Sequence, residues 1–137
     1  MTRINLVPVA DLYDQHLVAE YREFPMIGKA LQRSLRTKSE STVLSEIPTV
    51  FTLNKGHVKF FYDKAKFLEK RYTELVNEMK ARGYSPDPMR IFNAHDFPAA
   101  FWNDYLPPTS AVQISEQRIA ERVGQKPDWY RMTKAVA

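Results

Sequence analysis

No cysteine occurs in the 137 residues, which removes three chemistries at once: a disulfide framework, a thiolate metal site and a cysteine nucleophile. The same absence fits a reducing compartment, so a cytoplasmic protein is expected. Glycine is scarce too. Four glycines form no Gly-rich phosphate loop and no Gly-x-Ser-x-Gly elbow, and there is no His-Glu-x-x-His helix. The three histidines, His16, His57 and His95, are too scattered to read as a metal site. No apolar run reaches the roughly 18 residues of a membrane span, and the N-terminus lacks a signal core, so neither a membrane protein nor a Sec-exported one is expected. Internal repeats are absent, and strand-like alternation is rare.

What is present reads as helix. With 44% apolar residues, a chain of this size can bury one core without staples. Asp11 or Asp14 is placed to cap a helix running from Gln15 toward Leu35, with a kink expected at Pro25. At 100° per residue its apolar arc gathers Tyr13, Leu17, Tyr21, Phe24, Gly28, Leu31 and Leu35. Residues 35–49 are hydroxyl-rich and read as a surface loop ended by Pro48, and 49–53 as a short extended piece. A second helix is expected over 63–82, with an apolar stripe of Phe67, Leu68, Tyr72, Leu75, Val76 and Met79 and with Gly83 as its stop. Residues 84–108 contain five of the nine prolines and read as a long connector pinned by aromatics. Ser110 to Gln113 has capping-box spacing and opens a third helix that ends at Gly124 and carries Arg118 and Arg122 one turn apart. The expected fold is therefore all-α: a compact single domain, residues 1–137, of three main helices with long loops.

The net charge of +4 is unevenly placed, because the whole basic excess falls in 51–90. There Lys55, Lys59, Lys64, Lys66, Lys70 and Arg71 interleave with Phe60, Phe61, Tyr62 and Phe67. Such a pattern suits a polyanion surface, and equally a solvated helix face with its core aromatics.

The first helix carries a second arc of Gln15, Ala19, Arg22, Glu23 and Met26, with His16 at its edge. A polar face of this kind is ordinarily just solvated. The nearby chain terminus gives it another reading. An α-amine has a pKa of about 7.7–8.0 against about 10.4 for lysine, so near pH 7.5 roughly a third of it is an unprotonated nucleophile. Thr2 is small enough that Met1 is expected to be removed, leaving the amine on Thr2, with Arg3 and Arg22 lowering its pKa and Glu23 opposing them. Such an amine can attack a sugar carbon and form a Schiff base.

The blocks Thr2-Arg3-Ile4-Asn5-Leu6, Asp14-Gln15-His16-Leu17, Ala19-Glu20-Tyr21-Arg22-Glu23 with Pro25, and Gly56-His57-Val58 with Phe60-Phe61-Tyr62-Asp63-Lys64 occur in that order. Ile114-Ser115, Arg118, and Pro127 with Trp129-Tyr130 follow. Together they resemble the pyrimidine-dimer DNA glycosylases of the phage endonuclease V type, over nearly the full length. The resemblance implies an all-α fold and a DNA repair enzyme with glycosylase and abasic-site lyase activity, without metal or cofactor. Its partner would be double-stranded DNA containing pyrimidine dimers or abasic sites, bound by a monomer.

By position, the resemblance makes Thr2 the nucleophile and Glu23 the catalytic carboxylate. Arg3, His16 and Arg22 would contact phosphates and the lesion sugar, Gln15 would be a further DNA-binding residue, and Arg118 and Arg122 would hold the backbone. Trp129 and Tyr130 match an aromatic pair implicated in lesion binding, and stacking on the core is the other reading. The sequence departs from the family at Met26, where members typically carry Arg. That departure motivates one rival, a glycosylase for other damaged bases. The remaining rival is a basic DNA-binding protein without catalysis.

Overall fold

The computed structural model describes residues 4–135 and is helical, with no strand among those residues. The first expected helix is present but broken. Asp14–Glu23 forms α1 and Met26–Leu35 forms α2. Pro25, which has no N–H to donate to the preceding turn, sits at the α2 N-cap position. Glu40–Ser45 (α3) and His57–Phe60 (α4) follow as short helices. Ala65–Ala81 (α5) and Thr109–Gln125 (α6) are the two long ones.

The apolar arc read from α1 and α2 does enter the core, with Leu17, Phe24 and Leu31 fully buried. They meet Phe61, Leu68 and Leu75 of the middle of the chain and Phe101 of the connector. Gly28 faces Asp96 and Phe97 so closely that a Cβ there would lie 2.8 Å from the Asp96 carboxylate, which explains glycine on this helix face. Gly83 ends α5 at φ 91°, as its spacing predicts. The connector is pinned as expected, by Phe92, Phe97 and Phe101. Its two short 3-10 turns lie at Ala94–Asp96 and Ala99–Phe101.

Several local expectations are corrected. Neither Asp11 nor Asp14 caps α1. Tyr13 holds the N-cap position without a side-chain bond, and Asp14 turns inward to Arg82 at 2.9 Å and Tyr84 at 3.0 Å. A buried guanidinium is a stronger partner than a helix N–H. The box at Ser110 does not form: Pro108 is the N-cap and Ser110 is already helical. Gly124 does not stop α6, which runs on to Gln125, since glycine outside the left-handed region leaves a helix intact. Residues 35–49 are no plain loop, because Ser39 accepts the Thr42 N–H and starts α3. The 49–53 stretch pairs with no strand. In the basic middle segment Phe60, Phe61 and Tyr62 are core residues. Arg71 is 5% exposed and unavailable to any polyanion.

Candidate active site and nucleic-acid interface

A cavity of about 370 Å³ lies where α1, α6 and the C-terminal tail meet, lined by Asn5, His16, Ala19, Glu20, Glu23, Arg118, Ile119, Arg122 and Tyr130. Helical spacing builds it. His16, Ala19 or Glu20, and Glu23 rise along one face of α1, and Arg118 and Arg122 stand one turn apart on α6. The lone methyl group of Ala19, between His16 and Glu23, leaves the space open.

Two carboxylates line this cavity, and their surroundings separate them. Glu20 is fully enclosed. It accepts from Arg71 Nε at 2.7 Å and Nη2 at 3.1 Å, and from the Asn5 backbone N–H and side-chain amide at 3.0 and 3.1 Å. Oε1 takes three of these bonds and Oε2 one, so both oxygens of Glu20 are committed to holding Arg71 and Asn5. Glu23 is half-buried, and no described residue holds its carboxylate in a hydrogen bond or ion pair. With two guanidinium groups lining the same cavity, the free carboxylate and the anion-binding groups are on hand together.

His16 stacks on Tyr130, ring centroids 4.9 Å apart and planes 7° from parallel, and its buried Nδ1 has no hydrogen-bond partner among the described residues. Burial, reinforced by the Arg122 guanidinium, holds the imidazole below its ordinary value of 6.5. The fold thus favours neutral His16. The unfolded chain takes up a proton at higher pH than the folded one, so this contribution to stability is complete above about pH 6.5 and drains away as pH falls through the lower folded value. An NMR titration of His16 is expected to give a midpoint below 6.5; a midpoint at or above it would contradict the burial beside Arg122.

The tail is fastened to the first turn of α1. The Asp14 N–H donates to the Arg131 carbonyl at 2.7 Å. The Gln15 side chain donates to the Trp129 carbonyl and accepts from the Arg131 N–H at 3.0 Å. The Asp14 carboxylate also accepts from the Thr133 N–H and hydroxyl. Burial alone would raise Asp14, but these bonds from Thr133, with Arg82 and Tyr84, outweigh it and hold the carboxyl below its usual value.

The structure therefore divides the face read from the sequence. Glu23, His16, Arg118, Arg122 and Tyr130 share the cavity. Gln15, Arg22 and Trp129 line a neighbouring cleft of about 360 Å³, with Ala19 on both walls. Trp129, 56% exposed, sits edge-on to Tyr130 with centroids 4.9 Å apart. Of the tail pair it is Tyr130 that packs inward, against His16 and Tyr13. Thr2 and Arg3 lie outside the described residues. His57 is 2% exposed and away from solvent, its Nε2 accepting the Ile4 N–H at 2.9 Å.

The buried Glu20–Arg71 pair is not among the residues expected from the sequence, yet the sequence carries a signal for it. In helical projection Glu20 falls beside Tyr13 and Phe24, and Arg71 falls in the middle of the α5 stripe. Opposite charges on two apolar arcs call for each other, because a lone buried charge is too costly to keep. A larger cleft, about 420 Å³ between α2 and residues 87–97, offers Lys29, Arg90 and two aspartates but none of the residues expected at the site. Among the described residues no cluster of acidic or imidazole side chains is grouped to hold a metal ion, and no helix is long and apolar enough to cross a membrane. A sequence model described as pyrimidine dimer DNA glycosylase matches residues 1–96. The matched stretch includes all of α1 and stops before α6, so Arg118, Arg122 and the aromatic tail stand beyond it.

Proposed function

Because this chain belongs to the pyrimidine dimer DNA glycosylase family, we propose that it cleaves the N-glycosyl bond of the 5′ base of a cyclobutane pyrimidine dimer in duplex DNA by covalent catalysis from the Thr2 α-amine, then cuts the strand. The observation that carries this reading is the one uncommitted carboxylate of the cavity, Glu23, in company with Arg118, Arg122 and His16. Asn5, three residues after Thr2 in the chain, lines the same cavity. In the first step the amine nitrogen bonds to the deoxyribose C1′ and the C1′–N bond to the pyrimidine breaks, its electron pair leaving with the base. Opening of the sugar and loss of the amine proton leave an imine. Removal of a C2′ proton then forms the C2′–C3′ double bond and expels the 3′ phosphate, and water releases the amine.

Glu23 is the group that moves protons in these steps. Of the two carboxylates lining the cavity it is the free one: Glu20 is tied to Arg71 and Asn5, and arginine does not give up its proton. Arg118 and Arg122 hold the phosphates, joined by Arg3 and by Arg22 of the adjoining cleft. The protein acts as a monomer, and abasic duplex is its second substrate. Recognition rests on the ease with which lesion-weakened duplex kinks, more than on base edges.

Borohydride reduction of the imine is the decisive test. The unmodified protein is expected to become covalently linked to abasic duplex when borohydride is present, and N-terminal acetylation, which turns the amine into an amide, to reduce that linkage about 10²-fold or more. Linkage at the parent rate after the amine is blocked would shift the nucleophile to a lysine.

A further inference from the structure

The segment from Ile4 to Val7 is buried, 0% to 7% exposed, and yet belongs to no helix and pairs with no strand. A buried backbone without regular partners must have its polar groups met some other way. Here side chains from four different helices meet four of them. His57 of α4 accepts the Ile4 N–H at 2.9 Å, and Glu20 of α1 accepts the Asn5 N–H at 3.0 Å. Ser115 of α6 accepts the Leu6 N–H at 3.1 Å, and Arg71 of α5 donates to the Val7 carbonyl at 2.6 Å. All four residues are themselves at most 5% exposed.

Filling the core would need no such arrangement, since apolar side chains do that without desolvating polar groups. What four polar contacts from four directions add is register. A slip of one residue along the segment would misalign every donor with its acceptor. His57 is held in turn, its Nδ1 2.8 Å from the Thr52 carbonyl and its ring edge-on to Phe51 and Phe61. Because Nε2 accepts from Ile4, the proton must be on Nδ1, donated to Thr52. His57 is therefore a neutral, fixed acceptor.

We propose that His57, Glu20, Arg71 and Ser115 are positioning residues that clamp the chain at Ile4 to Val7, so that the amine two residues upstream is delivered in one place and register at the Glu23 cavity. This rests on the reading of the Thr2 amine as nucleophile. None of the four touches the reacting atoms; they act through the backbone that they hold. Misplacing a nucleophile by about 1 Å can lower a rate by about 10²-fold while leaving binding alone.

The test separates rate from affinity in single-turnover cleavage of irradiated duplex and in borohydride trapping on abasic duplex. His57→Phe removes the acceptor while keeping a ring; its rate at saturating protein is expected to fall about 10- to 10²-fold, with the Kd for duplex within about 2-fold of the parent. His57→Gln, which keeps an acceptor oxygen, is expected to recover part of that rate. A change that merely loosened the fold would not be rescued in this way, and Leu75→Ala serves as an equally buried comparison that should keep its rate once folded. Should His57→Phe not fold, Ser115→Ala removes a single hydroxyl and carries the same expectation at about 5- to 10-fold. A folded His57→Phe or Ser115→Ala reacting at the parent rate overturns the clamp. If acetylated parent protein also traps at the normal rate, the amine reading has failed; if acetylation abolishes trapping and the clamp variants are unaffected, only the clamp has.

Discussion

Glu23→Gln is expected to bind irradiated duplex at least as tightly as the parent and to cut it about 10²- to 10⁴-fold more slowly. The amide keeps the size of the side chain and removes a negative charge from a cavity that would face phosphates, so affinity has no reason to fall. No other carboxylate of the cavity can take over the proton transfer. The other carboxylate lining the cavity, Glu20, is locked between Arg71 and Asn5, and the cations at Arg118 and Arg122 cannot accept a proton. Gel-shift affinity and single-turnover cleavage measured on the same irradiated duplex check both halves. Parent-rate cutting by the variant would remove the acid–base role from Glu23 and leave the cavity as a binding site only.

Arg71→Met should be the most damaging single change to stability in the buried polar network. It leaves the Glu20 carboxylate, 0% exposed as a side chain, without its guanidinium partner, and the Val7 carbonyl without its donor. Breaking a buried ion pair on one side costs about 3–5 kcal/mol, which for a chain of this size lowers Tm by roughly 10–20 °C. The double variant Glu20→Leu/Arg71→Met removes both charges and is expected to regain part of the loss, though the Asn5 N–H then goes unmet. Thermal and denaturant unfolding of the single and double variants would show this. A loss below about 1 kcal/mol for Arg71→Met would mean that the pair behaves as a solvent-exposed one. Such a result would weaken the case for a clamp built on it.

Glu23 and Arg71 differ in how far the sequence discloses their surroundings. Glu23 could be placed on a face with His16 and Ala19 because helical spacing alone decides which side chains of α1 are neighbours. Arg118 and Arg122 could be placed one turn apart for the same reason. The kink at Pro25 and the stop at Gly83 were legible because each follows from the chemistry of one residue. Caps were less so. Asp14 has the right side chain for an N-cap, but a buried arginine 68 residues away competes for it and wins.

By itself, then, the sequence determined the local terms: an all-helical chain, the faces of α1 and α6, the absence of thiol chemistry, and a candidate amine followed by a helix bearing a carboxylate. Only the tertiary structure decided which faces meet. It set α6 across a cavity from α1, so that Glu23 shares that cavity with Arg118 and Arg122 and not with Arg22. It sent Arg71 into the core, and it made His57 an acceptor for the backbone of Ile4. Periodicity fixes contacts within a helix at separations of three and four residues. The partners of a buried charge or an unpaired N–H lie 15 to 109 residues away here, and they are chosen by the requirement that every polar group taken from water be met again inside.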